Sequence, residues 1–97
     1  MPDQLYDQGD RFTRITTAGT GVLRTTPTRL KRVVVNTFVA ASNVSVYNGV
    51  TAASGQRVAL IGTATDNTQG DYNYDVALSG GLTVVVVGTP DITVVYQ

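Results

Sequence analysis

The 97-residue chain has no cysteine, no histidine and no tryptophan, and each absence excludes a class of chemistry. Without cysteine there are no disulfide bridges and no thiolate sites, so stability must come from packing or from association. Without histidine the chain lacks the commonest general base and the commonest metal ligand at neutral pH. Its 7 basic and 7 acidic side chains cancel, and net charge therefore drives it toward neither nucleic acid nor membrane.

Targeting and membrane signals are also missing from the sequence. Residues 1–4 contain no basic stretch followed by an apolar run, so we expect no signal peptide. No apolar run approaches the roughly 20 residues of a membrane-spanning helix. We expect a protein that is made and folded in a cytoplasm.

The acidic residues do not form a pattern that indicates catalysis or metal binding. Asp66, Asn67, Asp71 and Asp75 lie close together in the sequence. Their spacing differs from a calcium-binding loop, and Asp71 and Asp75 on one strand would be about 13 Å apart. No Ser or Thr has an evident activating base. We therefore predict no metal, no cofactor, no catalytic residues and no enzymatic activity.

The composition is rich in threonine and valine, which favours strands over helices. Short alternating apolar segments separated by turn residues recur along the chain, and no segment has a useful helical period. We predict an all-β fold, an antiparallel β-sandwich or jelly roll of about seven to eight short strands. Within it, Ala18–Gly21 is predicted as a turn, and Tyr47 falls outside the apolar register, on an exposed position.

The C-terminal segment carries the strongest strand signals. Two runs rich in β-branched residues, Leu82–Val87 and Ile92–Tyr96, flank the turn-forming residues Gly88–Asp91. The simplest interpretation is an antiparallel hairpin. Alternation gives this hairpin one apolar face, made of Leu82, Val84, Val86, Ile92, Val94 and Tyr96.

The opposite face of these two strands is also apolar, because it carries Val85, Val87 and Val95. An outward apolar face needs a cover, either another layer of the chain or another copy of it. We predict that these three valines form an oligomer interface.

Basic residues concentrate in the first third of the chain, from Arg11 to Arg32, whereas Asp66 to Asp91 contains acids and no base. One explanation is that strands from the two ends lie side by side and their exposed faces pair. The other is a basic face that meets the acidic face of a neighbouring subunit or shell.

Residues 1–10 have little apolar pattern and are predicted to be an N-terminal arm, either frayed or docked. Residues 11–97 are predicted to form the single sandwich domain. Leu5, Tyr6 and Phe12 are the candidate contacts of the arm region with a shell or a neighbour.

Several segments resemble a group of small virion proteins of tailed bacteriophages. The resembling segments are LKRVVVN at 30–36, VSVYNG at 44–49, VALIGT at 58–63, DVALSGGLTVVVVG at 75–88 and DITVVYQ at 91–97. Proteins of this group serve in head decoration, as head fibres, or in the neck or tail. The resemblance implies a β-rich homo-oligomer, commonly a trimer, on the capsid surface.

These observations predict a non-enzymatic virion structural protein that decorates or cements a phage capsid. Its partners would be further copies of itself, as a trimer, and the major capsid protein, without nucleic acid or membrane. The alternative is a carbohydrate- or receptor-binding β-sandwich module of a phage tail or fibre. That alternative requires exposed aromatic side chains in a groove.

Overall fold

A computed structural model describes residues 11–51, 56–62 and 70–97, which form strands and no helix. The eight strands are β1 Arg11–Ile15, β2 Gly19–Arg24, β3 Thr28–Thr37, β4 Asn43–Asn48, β5 Gln56–Ile61, β6 Gly70–Leu78, β7 Leu82–Val87 and β8 Asp91–Tyr96. They make two antiparallel four-stranded sheets, a first sheet ordered β1-β8-β3-β6 and a second ordered β2-β7-β4-β5. The predicted all-β antiparallel sandwich is confirmed.

The strand pairing is nested around the middle of the chain. β1 pairs with β8, β2 with β7, β3 with β6 and β4 with β5. Pairings of β3 with β8 and of β4 with β7 complete the two sheets. This order is that of an eight-stranded jelly roll, in which a long folded-back chain is wound into two facing sheets.

The predicted hairpin of the last two strands is wrong. β7 is a central strand of the second sheet, whereas β8 is a central strand of the first sheet. The connection Gly88–Thr89–Pro90 therefore crosses from one sheet to the other, with Gly88 at φ +83° and Pro90 buried. Turn-forming residues specify a change of direction, but they do not specify whether the chain returns to the same sheet.

The core lies between the two sheets and is filled by their inward-facing side chains. Leu82, Val84 and Val86 of β7 are buried, and Ile92, Val94 and Tyr96 of β8 are buried opposite them. The apolar face predicted for these strands is therefore correct, although its two halves come from facing sheets. Leu30, Val33, Val44, Val46, Ile61 and Leu78 complete the core from the neighbouring strands.

Irregular pairing interrupts β3 and β6. The register shifts between Leu30 and Arg32, and β6 carries Asp75 at φ +52° opposite this point. An extra residue of this kind is a β-bulge, which turns the following side chains onto the other face. As a result Leu30 and Val33, which are three residues apart, both face the core.

Two chain reversals at one end of the sandwich are hydrogen-bonded to each other. Asn48 Oδ1 accepts from the Gly80 N–H at 2.8 Å, and the Gly49 N–H donates to Gly81 O at 3.3 Å. Thr83 Oγ1 donates to Gly49 O at 2.7 Å. These bonds satisfy polar groups that the turns would otherwise leave unpaired.

Gly88 is a position where substitution should be costly. Its φ of +83° disfavours side chains, and an added Cβ would overlap the hydroxyl of buried Ser42. We expect Gly88→Ala to lower the free energy of unfolding by about 1–3 kcal/mol or more, because backbone strain and overlap add. Urea denaturation measures this change.

Gly21→Ala is the matched control, since an added Cβ there meets nothing closer than Leu23 Cδ2 at 3.9 Å. A Gly88→Ala protein as stable as the Gly21→Ala protein would contradict the expectation that the chain is tightly packed at Gly88, where it crosses between the sheets.

Candidate interaction faces and edge cleft

The two outer faces of the sandwich differ in charge. Within the described strands every charged residue except Arg24 and Arg57 belongs to the first sheet. We call the outer surface of the first sheet the charged face. The outer surface of the second sheet is the valine face, formed by Thr20, Val22, Asn43, Ser45, Tyr47, Arg57, Leu60, Thr83, Val85 and Val87.

An ion pair joins the two ends of the described chain on the charged face. Arg14 donates from Nε to Asp91 Oδ1 at 2.9 Å and from Nη2 to Oδ2 at 2.6 Å. Asn36 Nδ2 donates to the same Oδ1 and to Thr93 Oγ1, both at 3.2 Å. The hydrogen bond from Arg14 is the main cause that lowers the pKa of Asp91 to about 2, and the bond from Asn36 adds to it.

A second acidic centre lies at the bulge of β6. The Asp75 carboxylate is 3.2 Å from Arg29 Nη1 and 3.5 Å from Lys31 Nζ. The charge of Lys31, followed by the hydrogen bond from Arg29, lowers the pKa of Asp75. The first acidic centre joins β1 to β8 and the second joins β3 to β6, so the explanation that early bases pair with late acids within the chain holds for these residues.

The structure separates the three valines predicted as an interface. Val85 is half-buried and Val87 is 47% exposed, and both lie on the valine face. Val95 lies on the charged face of the other sheet and is only 7% exposed. Its neighbours across β1 and β3 are Phe12 and Arg32, whose long side chains flank it. The three valines therefore do not share a surface.

Of the three predicted arm contacts, the structure describes Phe12. It lies in β1 on the charged face and is 73% exposed, the largest value among the exposed apolar side chains of the described residues. Leu5 and Tyr6 lie outside the described residues. Tyr47, predicted to be exposed, is half-buried on the valine face beside Thr83.

The acidic residues considered as metal ligands are only partly described. Asp71 and Asp75 lie on β6, whereas Asp66 and Asn67 lie outside the described residues. Within residues 11–51, 56–62 and 70–97, no three Asp or other ligand-type side chains come together. The same residues contain no helix that could cross a membrane.

The sequence did not predict a cleft at one edge of the sandwich. Its volume is about 250 Å³, and its lining residues are Thr13, Ile15, Thr17, Ala18, Gly19, Thr20, Gly21, Leu23 and Val84. The sequence predicts a turn at Gly19 and Gly21, but the structure places both in β2. Two glycines at alternate positions followed by Val22 and Leu23 could have indicated a strand whose inward face lacks side chains.

No protein-family model matches the chain, and no curated protein matches it significantly.

The ion pair of Asp91 with Arg14 gives a pH-dependent contribution to stability. The folded pKa of about 2 lies below the ordinary Asp value of 3.8, so this contribution is complete well above pH 3.8 and is lost as the pH falls through the folded pKa. We expect Asp91→Asn to lower the free energy of unfolding at pH 7. The difference from the wild type should shrink steadily on acidification toward about pH 1.

Denaturant titrations across this pH range measure the effect. Asp71→Asn is the control, because Asp71 is exposed on the same face and makes no ion pair within the described residues. Equal losses at neutral and acidic pH in the Asp91→Asn protein would show that the carboxylate charge is not the cause.

Proposed function

We propose that the chain is a non-enzymatic virion structural protein that decorates or cements a phage capsid as a homo-oligomer. The observation that carries the proposal is the valine face, an exposed sheet surface with very little charge. Surfaces of this kind, when they form a continuous patch, mark contacts with other proteins. The jelly-roll strand order supports the proposal by analogy only, since viral capsid and lectin domains share it and a fold does not define a function.

The valine face suits contact between identical copies. Val87 on β7 and Val22 on β2 are 47% and 46% exposed. Half-buried Val85, also on β7, has β2 on one side and β4 on the other. β4 and β7 contain no charged residue, so the central strands of two such faces can approach without like-charge repulsion. We retain Val85 and Val87 as interface residues and omit Val95, which is already buried within the subunit.

The charged face is then left for the shell. Phe12 protrudes from it beside Arg14, and Arg32 lies two strands away in the same row of the sheet. Aromatic and arginine side chains are those most often found at the centres of protein interfaces. An oligomer, in our proposal a trimer, presents several such contacts to the major capsid protein at once, so weak individual sites bind with high avidity. Binding to the assembled shell stabilises it by mass action.

The oligomer is tested by replacing an exposed valine. Val87→Asp would place a charge on the valine face without disturbing the core, and desolvating that charge opposes association. We expect the wild-type chain to have about three times the 10.2 kDa mass of one copy, and the Val87→Asp protein to have the mass of one copy. Light scattering after size exclusion, across a dilution series, measures both masses.

Val39→Asp is the matched control, because Val39 is a 39% exposed valine in the connection between β3 and β4, outside the strands of the valine face. It should leave the mass unchanged. A folded Val87→Asp protein of wild-type mass would show that the valine face is not the interface. A wild-type chain of 10.2 kDa at every concentration would show that the chain does not form an oligomer.

The decorating role needs a separate test. Purified undecorated capsids of the phage that encodes the chain should co-sediment the wild-type protein, and Phe12→Ala should weaken this binding. Because Phe12 is 73% exposed, its loss should leave the fold and the oligomer mass unchanged. Absence of co-sedimentation at concentrations where the oligomer is stable would contradict decoration.

A glycan-binding module is the second candidate, and Tyr47 is the observation in its favour. This half-buried tyrosine of β4 lies on the valine face between Arg57 of β5 and Thr83 of β7. Aromatic rings with one polar end are common where a surface meets a ligand. The candidate predicts hits on a glycan array that Tyr47→Ala abolishes. An array without hits, together with binding to capsids, would eliminate it.

A further inference from the structure

Two strands at opposite ends of the first sheet have an unpaired edge. Among the described strands β1 pairs only with β8, and β6 pairs only with β3. An exposed strand edge offers unpaired N–H and C=O groups that can accept a further strand. Three antiparallel pairings separate β1 from β6, so these two strands run in opposite directions. The β6 edge of a second copy, placed beside β1, therefore continues the sheet in the same antiparallel pattern.

The charges of the two edges favour this pairing over the pairing of identical edges. β1 contains two arginines and no acid, whereas β6 contains two aspartates and no base. Pairing β1 with β1, or β6 with β6, would bring like charges together across two copies. Pairing β1 with β6 brings opposite charges together instead, so electrostatics selects a head-to-tail contact.

Rows of side chains across the sheet define the register of such a contact. One outward row runs from Arg14 on β1 through Thr93 and Val34 to Asp71 on β6. Continuing this row into a second copy sets Arg14 opposite that copy's Asp71. The Arg14 side chain is 62% exposed and uses Nε and Nη2 on Asp91, which leaves further N–H donors available. Asp71 is exposed and joins no ion pair within the described residues.

The edge cleft lies beside β1 because β2 has no side chains on part of its inward face. Gly19 pairs with Val86 and Gly21 pairs with Val84, so both glycines occupy positions that face the core. A Cβ added at Gly19 would have no heavy atom within 4 Å. Thr13 of β1 lines the same cleft. The cleft is therefore space that a single copy leaves unfilled next to a free strand edge.

An inward row of the first sheet leads from this cleft to the far edge. It runs from Thr13 through Val94 and Val33 to Tyr72, which is half-buried against the core. In the register that sets Arg14 opposite Asp71, Tyr72 of the second copy lies opposite Thr13 on the inward face. Its ring then lies at the mouth of the cleft.

We propose that β6 of one copy pairs with β1 of another, with Asp71 opposite Arg14 and with Tyr72 covering the mouth of the edge cleft. The contact belongs to the first sheet, so it is distinct from the valine face, and it does not rest on the proposed virion role. A pairing along the 5 residues of β1 buries little area and is weak. It forms at high concentration, or between copies held side by side, and not in the dilute samples that measure the valine-face oligomer.

Single cysteines on the two edges test the pairing, because the chain contains none of its own. Another outward row runs from Phe12 through Val95 and Arg32 to Asn73. In the proposed register Phe12 of one copy is directly opposite Asn73 of the next, at a separation that a disulfide can bridge. Both side chains are exposed, so Phe12→Cys and Asn73→Cys should leave the fold intact.

We expect the two cysteine proteins, mixed at millimolar concentration under mild oxidation, to form a mixed disulfide that mass spectrometry detects. The matched control is Phe12→Cys mixed with Val39→Cys, since Val39 is 39% exposed and lies in the connection between β3 and β4, outside both edge strands. The mixed disulfide should form several-fold faster in the first mixture. Equal rates in the two mixtures would overturn the proposal. Faster linkage of two Phe12→Cys copies would also overturn it and would assign the contact to pairing of β1 with β1.

Further substitutions test the register and the cleft. Asp71→Arg in the Asn73→Cys protein should slow the mixed disulfide several-fold, because it sets like charges opposite each other. Gly21→Val in the Phe12→Cys protein should also slow it, by filling the cleft. An unchanged rate with Asp71→Arg would contradict the register, and an unchanged rate with Gly21→Val would show that Tyr72 does not cover the cleft. Carrying Val87→Asp in both proteins makes the result independent of the valine face.

A second measurement avoids the cysteines. Amide groups of β1 that point away from β8 should exchange with solvent several-fold more slowly in the wild-type protein at millimolar than at micromolar concentration. Asp71→Arg should abolish this difference. Equal exchange rates at both concentrations in the wild-type protein would contradict pairing at the β1 edge.

Discussion

The structure depends on the burial of the inward-facing side chains of each sheet against those of the other sheet. Nearly all the inward positions of β7 and β8 are valine, leucine, isoleucine or tyrosine, and they are almost completely buried. Burial of such a side chain contributes roughly 1.5–3 kcal/mol, and a chain without cysteine has no covalent substitute for it. The tight crossing at Gly88 follows from this constraint, because the chain must leave one sheet and enter the other without displacing the core.

Much of the fold was predictable because strand signals are local. Alternation and turn residues located the strands, and the inward face of β7 and β8 was correct even though the predicted hairpin was not. Both outcomes have one cause: alternation reports which side chains face the core, whereas sheet order depends on partners far away in the sequence. The burial of Val95 was not predictable for the same reason, since Phe12 and Arg32 flank it from strands β1 and β3.

The segregation of charge was visible in the sequence, which left two explanations open. Bases of the first third meet acids of the last third within one sheet, as in the pairs Arg14–Asp91 and Arg29–Asp75. This arrangement leaves Arg24 and Arg57 as the only charged residues in the described strands of the second sheet, whose outer surface is the valine face. The edge cleft was missed because glycines suggest turns, and only the register of β2 shows that Gly19 and Gly21 replace core side chains.

The nested pairing also constrains the order in which the molecule can fold. Among the described strands, β4 and β5 are the only paired strands that follow each other in the chain. Closing a longer loop costs more conformational entropy, so pairing is cheapest when it spreads outward from this hairpin. Folding should be slow for a protein of this size, because most pairings are non-local. β1 then docks last and detaches first, and the side of the molecule that carries the open cleft is the place where unfolding begins.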